Sequence, residues 1–177
     1  MRILKKILVV LIALVIVLLI TALFVKKDYS IEREITINKP KTDVFNYIKY
    51  LKNQNDYSKW AKMDPNMQKT FSGTDATVGF VSAWEGNKDV GKGEQEIKGI
   101  KEGERVDFEI RFKKPMESVA QAHMTTAAIN DNQTKVSWVF SGHMPYPFNL
   151  MRLFGMEKMV GNDLQTGLEN LKAIQEK

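Results

Sequence analysis

A run of 19 residues near the start of the chain, 7–25, contains no charged side chain and a single weakly polar one, Thr21. Leu, Ile and Val fill most of the run, and no amphipathic stripe separates one face from another. As a helix the run would be about 28 Å long, close to the hydrocarbon core of a bilayer at about 30 Å. The run predicts one transmembrane helix, over about residues 5–26. These residues would then not contribute to the hydrophobic core of a soluble domain.

A cleaved signal peptide is the alternative interpretation of this segment, because Arg2, Lys5 and Lys6 precede the apolar run. The run is longer than the usual apolar core of a signal peptide, and no Ala-x-Ala-like cleavage site follows it. Lys26 and Lys27 then close the run as a stop-transfer signal would. We therefore expect an uncleaved anchor and a protein that crosses the cell membrane once.

Charge is divided unevenly between the predicted anchor, residues 1–27, and the remaining chain. The anchor holds five basic residues and no acidic one, with three basic residues before the apolar run and two after it. This excess favours a cytoplasmic N-terminus and an extracytoplasmic domain. Beyond residue 27 the chain holds 21 basic and 21 acidic side chains, so the net charge of +5 belongs to the anchor. A neutral domain gives no electrostatic reason to expect a nucleic-acid partner.

Residues that could support metal or covalent chemistry are few. The chain has no cysteine, which excludes disulfides, thiolate metal ligands and a cysteine nucleophile. The two histidines, His123 and His143, fall in no metal-binding motif, so we expect neither a metal nor a cofactor. His123 shares the phase of Gln121 and Thr125 in a predicted strand, which favours a solvated structural role over that of a general base.

The chain after the anchor begins with one strand and two short helices. Isoleucines alternate with polar residues over 29–37, which predicts a strand. Pro40 suits the first position of a helix, and the apolar spacing of the next residues continues one. A second short helix is predicted over 56–63, where Asp64-Pro65-Asn66 ends it as a turn.

From residue 67 onward the apolar residues recur with a period of two, and short turns separate the segments. The predicted strands are 68–72, 78–84, 91–100, 105–112, 118–129 and 134–141. A final helix is predicted from apolar residues at helical spacing: Val160, Leu164, Leu168, Leu171 and Ile174. This order predicts an α+β domain over 28–177, in which a curved antiparallel meander packs against a long C-terminal helix.

Several stretches of this domain resemble the START-like, helix-grip superfamily, and most closely the membrane-anchored bacterial members of its polyketide cyclase/dehydrase-like (SRPBCC) branch. The stretches are EREITINKPKTDV (32–44), WAKMDPNM (60–67), WEGN (84–87), VGKG (90–93), SGHMPYP (141–147) and DLQTGLENLK (163–172). The resemblance implies a hydrophobic cavity between sheet and helix, closed by loops. It identifies neither a ligand nor a shared catalytic motif, because that superfamily hosts carriers, sensors and some enzymes.

Aromatic and Met residues are numerous for a domain of this size, and most would be expected in an ordinary core. Those in loops near the last helix are harder to explain in that way, and a ligand cavity, a lid or a membrane contact would each account for them. Met suits a cavity because it can repack around varied apolar ligands. The predicted cavity residues are Trp84, Phe108, His123, Trp138, Phe140, Met144, Tyr146, Phe148, Phe154 and Met159.

Three functions are compatible with these observations. The first is a membrane-anchored binding module for a lipid-like or other hydrophobic small molecule, with the bilayer as its other partner. The second is an enzyme of the cyclase, dehydratase or hydrolase kind that uses His123 or an inward carboxylate as base. The third is an interaction domain with a filled core. An empty apolar cavity would distinguish the first two from the third.

Overall fold

The computed structural model describes residues 2–177 and begins with a long helix, α1 (Arg2–Phe24). By length and composition α1 can cross a bilayer, and its described side chains are exposed except at its C-terminal end, where Ala22 is buried. A core helix of a soluble domain would be buried along one face. Of the predicted anchor, residue 1 lies outside the described range.

Four short helical elements follow β1 (Asp28–Ile37): α2 (Lys41–Ile48), a 3-10 turn (Leu51–Asn53), α3 (Gln54–Tyr57) and α4 (Lys59–Lys62). Helix α2 begins directly after Pro40, in agreement with the prediction. The short helix predicted over 56–63 is divided into α3 and α4, because Ser58 between them is extended, with ψ of 130°.

Six strands then form the meander that the sequence predicts: β2 (Gln68–Ser72), β3 (Val81–Glu85), β4 (Lys92–Lys101), β5 (Arg105–Lys114), β6 (Ser118–Asn130) and β7 (Gln133–His143). The sheet order is β1-β7-β6-β5-β4-β3-β2 and every neighbouring pair is antiparallel. The strand predicted over 78–84 begins at Val81. The residues before it cannot continue a regular strand, because Gly79 has a φ of +89°.

The final helix, α5 (Met156–Gln175), lies across the concave face of the sheet and packs mainly against β1. Lys172 Nζ donates to the carbonyl of Thr36 (2.8 Å), and Glu176 accepts from the amide of Asn38 (2.6 Å). The C-terminus of α5 is therefore fixed at the Ile37 end of β1, and its N-terminus lies toward the Asp28 end. The predicted α+β helix-grip fold is confirmed.

Two glycines allow α5 to approach the sheet closely. A Cβ at Gly167 would stand 2.7 Å from the ring of Trp138, and one at Gly161 would stand 2.0 Å from the guanidinium of Arg33. A glycine inside a helix costs about 1 kcal/mol relative to alanine, so both need a packing reason. That reason is contact between the helix backbone and these two large side chains.

The C-terminal end of α1 is bonded to a 3-10 turn, Phe148–Arg152, which we call the docking turn. The buried Asn149 donates through Nδ2 to the carbonyls of Ala22 (2.7 Å) and Val25 (2.8 Å). Arg152 Nη1 donates to the carbonyls of Lys26 (2.9 Å) and Asp28 (2.6 Å). Carbonyls at a helix C-terminus lack partners within the helix, and here the folded domain supplies them. The domain is thus held against the end of α1.

Replacing Gly167 with Val tests the close approach of α5. We expect the free energy of unfolding to fall by about 1–3 kcal/mol, because the side chain must displace the buried Trp138 ring or the helix. Ala173→Val, on the exposed face of the same helix, is the control and should cost less than about 1 kcal/mol. Chemical denaturation followed by circular dichroism measures both; an equal, small change in the two variants would contradict the packing role of Gly167.

Candidate functional site

Helix α5 leaves part of the concave face uncovered, and a cavity of about 350 Å³ lies there, bounded by the strands, α5 and the helices α3 and α4. Strands β2 to β7 each contribute at least one side chain to the lining. Helix α5 contributes Val160 and Leu164. The lining is mostly apolar and aromatic, and its larger members are Trp60, Met67, Trp84, Ile110, Phe112, Trp138 and Phe140.

Strand alternation explains which side chains reach the cavity. Ala122 of β6 is buried on the concave face, directly between Phe108 of β5 and Phe140 of β7 in the strand register. A methyl group between two rings leaves space that a larger side chain would fill. This small residue therefore helps to form the cavity.

Trp138 forms one wall and is held on several sides. Its ring makes edge contacts with Tyr57 (centroids 5.7 Å apart) and Trp60 (6.3 Å), and the backbone of α5 passes over it at Gly167. Tyr57 is fully buried and donates its hydroxyl to Met124 Sδ at 3.4 Å. Burial raises the pKa of Tyr57, so its phenol stays neutral at physiological pH.

Trp84 forms the opposite wall. It contacts Phe112 edge-on, with centroids 6.1 Å apart, and its indole N–H donates to the carbonyl of Val90 at 3.4 Å. Gly93 on the neighbouring strand gives the ring its room, because a Cβ there would stand 2.5 Å from it. All three tryptophans of the chain line the cavity, which makes their fluorescence a reporter of what enters it.

Gln95 is the polar side chain of greatest interest in the lining. Its Nε2 atom is buried and has no hydrogen-bond partner among residues 2–177. Leaving a buried polar group unpaired costs about 1–3 kcal/mol, so a ligand atom that accepts from this amide would gain from the contact. Ser82, the cross-strand partner of Gln95, also lines the cavity.

Three ionisable side chains lie in the lining: Lys69, Asp89 and Lys114. Asp89 and Lys114 are exposed, and Lys69 is partly exposed, so these charges lie where the cavity meets solvent. No cluster of His, Cys, Asp or Glu suited to a metal ion exists within residues 2–177.

Three glutamates of β4 and β5 lie on the convex face, away from the cavity. Glu94, Glu96 and Glu109 all bond to Arg111, which is flanked by them across β4 and β5. Hydrogen bonds from Lys113 and Arg111 lower the pKa of Glu94. The hydrogen bond from Arg111 is the main cause that lowers the pKa values of Glu96 and Glu109. These carboxylates are therefore ionised at physiological pH and act as partners of a surface arginine.

His123 lies on the same convex face, opposite Asp107 and Val139 in the register. Its pKa is lowered by partial burial and by the nearby Arg105, so the ring is neutral at physiological pH. The sheet separates it from the cavity. As a prediction of a cavity residue it does not match the geometry, because period-two alternation sends it outward when Ala122 and Met124 face inward.

Of the other predicted cavity residues, Trp84, Trp138 and Phe140 line the cavity. Phe108 faces inward but is packed in the core at 1% exposure. Met144 is half-buried against the same core. The remaining four lie outside the cavity with large exposed fractions: Tyr146 (41%), Phe148 (45%), Phe154 (76%) and Met159 (59%).

Sequence reasoning missed Ile110, Phe112, Ala122, Val160 and Gln95 as cavity residues. Ile110 and Phe112 share the phase of Phe108, and Gln95 is a polar residue in the inward phase of its strand. Those signals were present in the sequence. The importance of Ala122 depends on its two cross-strand neighbours, which only the register reveals.

A family model described as "Polyketide cyclase / dehydrase and lipid transport" matches residues 28–176. A search of curated proteins finds no match for this sequence. Among solved structures, a protein from Nitrosospira multiformis is 18% identical, with a TM-score of 0.60 over 83% of this chain and 96% of that chain.

Norcoclaurine synthase from Thalictrum flavum, solved in complex with dopamine and hydroxybenzaldehyde, is 7% identical, with a TM-score of 0.65 over 83% of this chain and 86% of that chain. The Aha1 dimer from Colwellia psychrerythraea is 15% identical, with a TM-score of 0.57 over 84% and 96%. At these identities the likeness shows the shared fold alone. The family model carries more, because it spans the whole sheet and all of α5: the chain belongs to the polyketide cyclase/dehydrase and lipid transport family.

Proposed function

We propose that this protein binds an apolar small molecule that carries a hydrogen-bond acceptor, and that α1 anchors the binding domain in the cell membrane. The observation that carries the proposal is the cavity of about 350 Å³, whose walls are aromatic and aliphatic. Its volume lies at the lower end of the range for small-molecule sites, about 300–1,000 Å³. The ligand is therefore small, or one chain of a larger lipid-like molecule.

Burial of apolar surface supplies the binding free energy. Each methylene group taken out of water contributes about 0.8 kcal/mol, or about fourfold in affinity. A preformed cavity keeps the ordering cost low, since Trp138 and Trp84 are already held by their neighbours.

Gln95 supplies orientation. A ligand carbonyl or hydroxyl oxygen in the cavity can accept from its Nε2 atom, which lacks a partner among residues 2–177. Lys69 and Lys114, where the cavity meets solvent, would tolerate a polar or anionic end on the same ligand. The ligand class that fits both features is an amphiphile with an oxygen near its apolar part.

The placement of ionisable groups favours binding over catalysis. A general base must lie within hydrogen-bond reach of the proton it removes. His123 and the Arg111-bound carboxylates are on the convex face, separated from the cavity by the sheet. The ionisable residues of the lining, Lys69, Asp89 and Lys114, lie where the cavity meets solvent, and Ser82 and Gln95 offer hydroxyl and amide groups that bind and orient a ligand without a chemical step.

The membrane part of the proposal rests on α1, an apolar helix of 23 residues with three basic residues in its first turns and two after it. This distribution favours a cytoplasmic N-terminus and an extracytoplasmic domain. Because the chain lacks cysteine, Ile129→Cys at the exposed C-terminal end of β6 gives one labelling site. We expect an impermeant maleimide to label it in intact cells or spheroplasts. Labelling only after lysis would contradict this orientation.

Filling the cavity should abolish binding. Ala122→Phe places a ring between Phe108 and Phe140, and Ala127→Phe, exposed on the same strand, is the matched control. The full chain in nanodiscs is titrated with 1-bromoundecane, whose bromine quenches tryptophan on contact. We expect the bromoundecane concentration needed for half-maximal quenching to be at least tenfold higher in A122F, and to equal the wild-type value in A127F. Equal quenching in wild type and A122F would contradict ligand binding in this cavity.

Gln95→Leu should change selectivity more than affinity in general. A bromoalkyl ketone loses its hydrogen bond in this variant, so we expect it to bind about 2- to 12-fold more weakly, while 1-bromoundecane binds at least as well as before. The same tryptophan quenching measures both ligands. A parallel loss for ketone and bromoalkane would show that Gln95 maintains the cavity's shape and does not recognise an acceptor.

A further inference from the structure

Large apolar side chains are exposed together on the docking turn and the start of α5. They are Phe148 (45%), Met151 (46%), Leu153 (59%), Phe154 (76%) and Met159 (59%), which we call the apolar pad. Single exposed apolar residues are ordinary on a protein surface, but a contiguous group marks a surface that contacts something. The pad does not line the cavity, so ligand binding does not explain it.

The position of the pad relative to α1 is fixed by hydrogen bonds. Asn149, within the docking turn, holds the carbonyls of both Ala22 and Val25. Ala22 belongs to the last turn of α1, and Val25 directly follows the end of that helix at Phe24. The docking turn therefore lies beside the last turn of α1, not beyond it, and Ala22 is buried by this contact. A bilayer crossed by residues 7–25 would reach the docking turn.

Charges surround the pad as they do at membrane interfaces. Lys26 and Lys27 follow α1, and Lys158 lies within α5 beside Met159. Arg152 is held among backbone carbonyls and pairs with Glu157 at 2.6 Å. Basic side chains beside exposed apolar groups suit the boundary between lipid tails and headgroups, where ammonium groups reach phosphates as apolar atoms enter the tails.

The cavity and the pad lie at the same end of the strands. The register places the start of β1, the end of β7, the β5–β6 turn and the β3–β4 turn together at this end of the sheet. Lys114, Pro115, Asp89 and Val90 of those two turns line the cavity. Val160, which also lines it, directly follows Met159 of the pad.

We propose that the apolar pad inserts into the leaflet at which α1 ends. The pad then holds against the bilayer the end of the sheet whose turns line the cavity. This inference rests on the proposed membrane span of α1. The domain is then a rigid attachment with one face toward lipid, not a body on a free tether. An apolar ligand can pass between the leaflet and the cavity along the pad, with little exposure to water.

Site-directed spin labelling of the full chain in proteoliposomes tests this arrangement, because the chain has no native cysteine. Phe154→Cys reports the pad, and Met116→Cys reports the β5–β6 turn beside the cavity. Ile129→Cys is the matched control, because Ile129 is 53% exposed and lies in β6 at the opposite end of the sheet. Leu14→Cys reports the middle of α1. Collision rates with oxygen and with a water-soluble nickel complex give the depth of each label.

We expect the F154C label to be oxygen-accessible and at least fivefold less accessible to nickel than the I129C label, with M116C between them. If L14C lies in the bilayer but F154C matches I129C, the pad is in water and the inference is wrong, although the span is correct. If the F154C label is inserted but the M116C label is as accessible to nickel as the I129C label, the end of the sheet that holds the cavity does not face lipid. An L14C label in water would overturn the proposed span, and this inference with it.

Discussion

The mismatch in width between one helix and a seven-stranded sheet determines the rest of this structure. Strands lie about 4.8 Å apart, so the sheet is about 30 Å wide, whereas a helix with its side chains is about 10–12 Å across. Helix α5 lies toward β1, where Gly161 and Gly167 let its backbone meet Arg33 and Trp138. Helix α5 does not cover the strands farther from β1, and the short helices α3 and α4 cover them only in part. A cavity follows from this geometry.

Alternation along the strands then separates two kinds of chemistry. The convex face carries the ion pairs around Arg111 and the neutral His123, where water is available to every charge. The concave face carries apolar side chains and Gln95, whose amide is the buried polar group that a ligand could satisfy. The sheet therefore separates the Arg111 ion pairs and His123 from the cavity, whose own ionisable lining residues, Lys69, Asp89 and Lys114, lie where the cavity meets solvent.

Local patterns were sufficient to predict the fold, but the site depends on which residues are neighbours in space. The period-two runs and the terminal apolar stripe predicted β2–β7 and α5, and the apolar run predicted α1. Trp84, Trp138 and Phe140 were predicted from residue type and do line the cavity. His123 was not excluded, because its face depends on the register, and Ala122 went unnoticed because its smallness matters only between Phe108 and Phe140. The exposed loop aromatics Tyr146, Phe148 and Phe154 were predicted to line the cavity and do not, and the hydrogen bonds of Asn149 place the docking turn beside the end of α1.

An apolar ligand is proposed to occupy the space between the sheet and α5. Photo-crosslinking tests it most directly: a diazirine-bearing alkyl ketone is irradiated with the full chain in lipid nanodiscs, and the labelled residues are mapped by mass spectrometry. We expect labels on the inward side chains of β4–β7 and on Val160, and we expect an excess of unlabelled ketone to compete with them. Labels confined to α1 and the apolar pad, with none in the cavity, would contradict it, because the probe would then have met the protein only through the lipid.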